Sequence, residues 1–195
     1  MVQRDAADAI AIALSVGRAI EASGGAYFVG GSLASSLQGE PRATNDIDIV
    51  LDLPFGRIGK LVSELGTAFE VDTDMLRDAL LHGRSCNIFF LPSVTKIDLF
   101  AVGPDPYDQV EFRRRRPVSI TESEVLVVKS PEDTVLRKLL WYREGGSVSE
   151  RQWRDVVEVL RVSGPDMDEA FLDDWAKRLG IHEQLERAKR DSESR

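Results

Sequence analysis

Along residues 4–22 apolar side chains return every three or four positions, at Ala6, Ile10, Ala13, Leu14 and Ile20 with Val16 at the edge. That period predicts an amphipathic helix laid over one face of a sheet. The period then changes. Residues 26–29 form a short apolar run, and 46–53 reads Asp-Ile-Asp-Ile-Val-Leu-Asp-Leu. In an extended strand alternate side chains share a face, so Ile47, Ile49, Leu51 and Leu53 point one way while Asp46 and Asp48 point the other, leaving one face dry and one charged. Further strands are predicted over 87–91, 95–101, 118–121 and 125–129, and helices over 32–37, 55–65 and 73–81. Pro92-Ser93 reads as the turn of a hairpin joining two of these strands.

At Ser130-Pro131-Glu132-Asp133 the pattern becomes helical to the end. Ser is a good N-cap, Pro suits the first helical position, and an acidic residue stands at the third. Val135, Leu136, Leu139 and Leu140 make one apolar stripe and Trp153, Val156, Val157 and Leu160 another, with Gly145-Gly146 as the turn between them. Helices over 168–179 and 181–189 follow, with the charged end from Arg190 expected to fray. The expected architecture is α+β: a core over 1–129, with a sheet flanked by helices, and a C-terminal helical region over 130–195.

Composition narrows the function classes. The chain of 195 residues is 43% hydrophobic, enough for a sizeable core, and no apolar run approaches the roughly 20 residues of a membrane span. No secretory leader is evident, so a cytoplasmic protein is expected. Cys86 is the only cysteine and His82 and His182 the only histidines, which leaves no internal disulfide and no Cys/His zinc set. Cys86 lies in an apolar strand and reads as packing. The net charge of −8 opposes a polyanionic partner at long range. Arg113, Arg114, Arg115 and Arg116 run against it: extended, they would put two arginines on each face, as a patch for an acceptor such as tRNA or for a triphosphate, or as a solvated edge that resists aggregation.

The chemistry concentrates in Gly30-Gly31-Ser32 and the strand after it. Two carboxylates brought within about 4 Å repel by roughly 4 kcal/mol at an effective dielectric of 20, which raises one pKa or recruits a cation. Asp98, in mid-strand among apolar neighbours, supplies a third. A few carboxylate oxygens with positions left for water and phosphates suit Mg²⁺ or Mn²⁺, so Asp46, Asp48 and Asp98 are the candidate metal ligands. Gly30 and Gly31 allow close backbone approach, and with Ser32 at a helix N-terminus they form a candidate cradle for the phosphates of an NTP.

Gly-Gly-Ser, then Asp-x-Asp on a strand, then a lone Asp on a later strand resembles the nucleotidyltransferase superfamily that includes DNA polymerase beta and the aminoglycoside nucleotidyltransferases, over about residues 26–101. Ser130-Pro-Glu-Asp-Thr-Val-Leu-Arg-Lys-Leu-Leu with the later Arg154-Asp155 resembles the C-terminal helices of AbiEii-type abortive-infection toxins and related bacterial nucleotidyltransferases. The second resemblance implies that Lys138 and Asp155 complete the active site, and that Arg42 and Thr44, just before the carboxylate pair, serve the nucleotide. Periodicity does not choose between Lys138 and Arg137, and it turns Asp155 away from its helix's apolar stripe, toward solvent. Together the resemblances imply a polymerase-beta-like core, its sheet mixed, that transfers a nucleoside monophosphate from an NTP, ATP included, to tRNA, a protein or a small molecule, as a toxin with an antitoxin partner in one version. The rival reading is a nucleotide-binding or partner-binding module with little catalysis.

Overall fold

The computed structural model describes residues 2–41, 44 and 46–194, residues 2–8 by their backbone alone. It divides into two compact units, residues 1–33 with 42–129 and residues 34–41 with 130–195. The first holds a seven-stranded mixed sheet. Its strands are β1 (Ala26–Val29), β2 (Asp46–Asp52), β3 (Phe69–Glu70), β4 (Ser85–Phe90), β5 (Thr95–Ala101), β6 (Arg116–Ser119) and β7 (Val125–Val128), in the spatial order β3-β4-β5-β2-β1-β7-β6. β2 runs parallel to β5 and antiparallel to β1.

The alternation read in β2 sets the layers. Ile47, Ile49, Leu51 and Leu53 are buried with Ile97 and Leu99 of β5, under the helices α1 (Val2–Ala22), α3 (Ile58–Leu65) and α4 (Thr73–His82). Burying Ile, Val and Leu in this layer contributes about 1.5–3 kcal/mol per side chain. The buried apolar residues of α1 are Ala9, Ile12, Ala13, Leu14, Val16, Ala19 and Ile20, so Val16 lies at the centre of the stripe rather than its edge. The spacing 9, 12, 13, 16, 19, 20 is the better match to 3.6 residues per turn, and Ile10 is left at the margin. Gly17 is needed there: a Cβ would lie 2.2 Å from the hydroxyl of Tyr27, which is itself buried. The Pro92-Ser93 hairpin forms between β4 and β5, with Val94 at φ 53.

Two elements escape the sequence pattern. β3 is only two residues long, too short for periodicity to register. The helix α5 (Pro106–Arg113) is carried by Asp105-Pro106 at its start and buries Tyr107, Glu111 and Phe112. Its presence corrects the reading of the four arginines as an extended run: Arg113 ends α5, Arg114 caps it and Arg116 opens β6. Arg115 donates to the Phe112 carbonyl at 2.6 Å and its guanidinium lies 4.4 Å from the Phe112 ring centre. The helix end and the Arg115 contacts therefore break the extended run. α5 also dries part of the charged face, because Phe112 stands 5.8 Å from Phe28, the cross-strand partner of Val50 on the Asp48 side of β2.

The second unit comprises α6 (Pro131–Glu144), α7 (Glu150–Ser163), α8 (Glu169–Arg178) and α9 (His182–Glu193), joined by residues 34–41, which hold the end of α2 (Gly31–Gln38). Ser130 caps α6 by accepting from the amide of Asp133 at 3.1 Å while donating to its carboxylate at 2.6 Å. Asp168, the N-cap of α8, donates its amide to Glu132 at 3.0 Å. α9 does not fray at Arg190: it continues to Glu193, held where the Trp153 indole donates to Asp191 at 3.0 Å and Lys189 pairs with Glu169. No helix among the described residues is long and apolar enough to cross a membrane.

Candidate active site

β2 and β5 place the carboxylates by register. Asp48 and Asp98 are direct partners on adjacent parallel strands, and Asp46 is the partner of Lys96. Since partners on neighbouring strands share a face, all three aspartates and Lys96 lie on one side of the sheet. Lys96 Nζ is 2.8 Å from Asp98 and 3.9 Å from Asp46. Exposure grades along the row, with the Asp98 side chain 16% exposed and that of Asp46 62%.

Burial raises the pKa of Asp48 above the ordinary carboxylate range, and the negative charges of Asp98 and Asp46 raise it further; Lys129 and Lys96 offset part of this. The Lys96 ammonium is held above its ordinary value, chiefly by its hydrogen bond to Asp98. Three carboxylates thus share one local field, with Lys96 in contact with two of them and Lys129 acting on Asp48.

Gly31 is fixed by the same arrangement. Its φ is +56, and a Cβ there would lie 1.7 Å from Asp48 Oδ2. No L side chain fits. Gly30 differs: a Cβ would meet the Lys129 and Phe28 side chains at 3.5 and 3.6 Å, ordinary contact, so packing within the chain demands glycine at Gly31 and not at Gly30. Ser32, half-buried, is the second residue of α2. Thr44 is buried and donates to the backbone carbonyl of Asp46 at 3.1 Å, tying down the entry to β2. Arg42 lies outside the described residues.

Two cations of this unit went unread in the sequence. Lys96 stands two residues before Asp98, and period 2 alone puts it on the same face. Lys129, after β7, makes a buried pair with Glu111 of α5 at 2.7 Å and lies 5.3 Å from the Phe28 ring centre. That pair depended on a helix the pattern did not reveal. Cys86 is buried, its thiol pushed up to about 11 by burial, then by Asp72 and Asp98, as suits a packing residue.

In the second unit Lys138 and Asp155 are both 6% exposed, and the ammonium donates to Asp155 Oδ2 at 2.8 Å. This corrects the solvent reading of Asp155. α7 is buried on more than its apolar stripe, because residues 34–41 pack on its other side: Ser35 reaches Asp155 at 3.5 Å and Gly39 lies against the Glu158 backbone. Lys138 is also the buried one of the pair that periodicity left open, Arg137 being less so.

Among the described residues no three His, Cys, Asp or Glu side chains already converge to hold an ion. The donor chemistry nevertheless fits a hard divalent cation: three carboxylates on one face, with an ammonium drawn in to balance them. Similar solved structures decide the fold. An antigenic nucleotidyltransferase-like protein from Paracoccidioides brasiliensis matches with a TM-score of 0.60 at 18% identity, covering 98% of this chain and 94% of that one. The fold is that of the nucleotidyltransferases. The antibiotic-resistance factor ANT(2'')-Ia in solution shares the fold at TM-score 0.54 and 15% identity, over 94% of this chain and 97% of that one. The same factor in complex with adenylyl-2''-tobramycin gives 0.53 and 14%, over 88% and 98%. No family model and no curated protein matches the sequence.

Proposed function

We propose that this chain is a nucleotidyltransferase that moves a nucleoside monophosphate from an NTP to an acceptor hydroxyl. The observation that carries the proposal is the register of Asp48 beside Asp98, with the Asp48 carboxylate filling the space a Cβ of Gly31 would need. A face that keeps three mutually repelling carboxylates against a glycine turn has little use in a fold that only binds.

In the reaction the acceptor oxygen forms a bond to the α-phosphorus, the bond from that phosphorus to the bridging oxygen breaks, and pyrophosphate leaves. Such transfer is mostly positioning and charge neutralisation. Asp46, Asp48 and Asp98 would hold Mg²⁺ or Mn²⁺, which when bound supplies positive charge to the triphosphate and to the attacking oxygen. Asp98, the more sheltered of the outer two, is suited to accept the acceptor's proton. The Gly31 turn and Ser32 at the start of α2 present backbone N–H groups to the phosphates, and Lys129 offsets charge from behind Asp48. The resemblance adds Lys138 and Asp155 to this set, and Arg42 and Thr44 to the nucleotide. The acceptor is tRNA, a protein side chain or a small molecule, the last in keeping with the complex of ANT(2'')-Ia with adenylyl-2''-tobramycin.

The test is incubation with each α-labelled NTP and Mg²⁺ against total tRNA, cell extract and an aminoglycoside panel. Label transferred to one acceptor class, and lost with Asp48→Asn, supports the function. No transfer from any NTP to any of the three refutes it.

A further inference from the structure

We propose that Lys96 is the resident counter-cation of the carboxylate face, and that a divalent cation enters by displacing it. The inference rests on reading Asp46, Asp48 and Asp98 as the cation's ligands.

The ammonium stands 2.8 Å from one of those carboxylates and 3.9 Å from another. It is therefore placed where an incoming cation must compete with it. The register makes this a property of the sheet: Lys96 pairs with Asp46 on β2, lies two residues from Asp98 on its own strand, and has Phe89 of β4 on its other side. Its side chain is 39% exposed, so water is at hand for the ammonium when it leaves. Lysine suits the role. It is a compact charge on a flexible four-carbon stem, whereas a guanidinium would grip the carboxylates through a rigid fork.

Displacement has a direction. A cation arriving alone must break the Lys96 contacts to Asp98 and Asp46 and then share the carboxylates with the ammonium. Arriving with a triphosphate, it offers the released ammonium new anionic oxygens. Lys96 thus weakens uptake of the bare cation and favours its entry with the nucleotide.

Mn²⁺ alone is the probe, its binding followed by calorimetry and by the electron-spin signal of the free ion. Lys96→Met removes the competing charge at similar length and is expected to bind Mn²⁺ about tenfold tighter than wild type, while Lys96→Arg binds no tighter. Lys96→Gln, which keeps a hydrogen-bonding group but no charge, is expected to behave as Lys96→Met and serves if the apolar variant does not fold. Asp48→Asn separates the two levels of the claim. If neutral variants at position 96 bind Mn²⁺ no tighter than wild type while Asp48→Asn loses it, Lys96 is not the competitor and the ligand assignment stands. If Asp48→Asn binds Mn²⁺ as wild type does, or if wild type and the neutral variants all fail to bind it, both ideas fall.

Discussion

The first unit keeps three carboxylates on one half-open face with Lys96 in contact, while the second buries one lysine against one aspartate at 2.8 Å, each side chain 7% exposed or less. The second arrangement is balanced. Two charges removed from water each cost several kcal/mol, and their attraction repays this only when the geometry is close and further hydrogen bonds are made. The first is in surplus: its negative charge raises the pKa of Asp48, so the metal-free fold bears a cost there that its own lysines only partly offset. A balanced buried pair serves architecture whatever else it does. A surplus exposed to solvent makes sense when something cationic comes and goes.

The sharpest way to break this contrast is to unbalance the balanced pair. Lys138→Met leaves Asp155 buried without its ammonium and is expected to cost about 3–5 kcal/mol in urea unfolding, whereas Lys138→Met with Asp155→Leu recovers most of the loss. A cost below about 1 kcal/mol would mean that the pair does not hold the helices together.

Asp48→Asn should do the reverse. Transfer is expected to fall by about 10²–10³, or roughly 2.7–4 kcal/mol of barrier, while stability without metal holds or rises because one repelling charge is gone. Initial rates and urea unfolding on the same preparation check both halves. A variant as active as wild type would take Asp48 out of the site.

The glycines divide along the same line at smaller magnitude. Gly31→Ala meets a positive φ worth about 1–2 kcal/mol and must also move the Asp48 carboxylate, so melting temperature and transfer rate are both expected to drop. Gly30→Ala meets ordinary contacts and is expected to stay within about 0.5 kcal/mol of wild type. Equal effects at the two positions would mean that Asp48 does not rest against the turn.

The contrast also explains what the sequence could show. The shared face of Asp46 and Asp48 was legible because period-2 alternation fixes the face of each residue within its strand, whereas the mixed order of the sheet came from the family resemblance. The side-by-side placement of Asp48 and Asp98 required the pairing of strands fifty residues apart, which no local pattern carries. Asp155 was misread for a related reason. A single helix's periodicity reports its most apolar face, and residues 34–41, which bury the other side of α7, lie more than a hundred positions away. α5 was missed because Glu111 and Phe112 turn inward beside charged neighbours, and the run of four arginines hid its end.

The smallest expected effect is the most selective, because it reads the surplus charge directly. Asp48 is held above the ordinary carboxylate range, so the folded chain binds that proton more tightly than the unfolded chain does. The linkage then has a definite sign. The stabilising contribution of the proton is fully present below the unfolded value, about 3.9, and is lost as pH rises through the raised folded value. Exposed Asp173 runs the other way: its hydrogen bond to Lys177 holds it below the ordinary range, and what that gives is lost as pH falls. The whole-protein curve sums such terms, and the difference between variants isolates one. The melting temperature of metal-free Asp48→Asn relative to wild type is expected to climb across the window above pH 4, as wild type alone gains a repelling charge, and then to level off. Saturating Mn²⁺ should shrink or reverse the gap at neutral pH, since only wild type keeps the full ligand set. Parallel curves without metal would show that Asp48 bears no excess repulsion, and would place the carboxylate face in the same class as the Lys138–Asp155 pair.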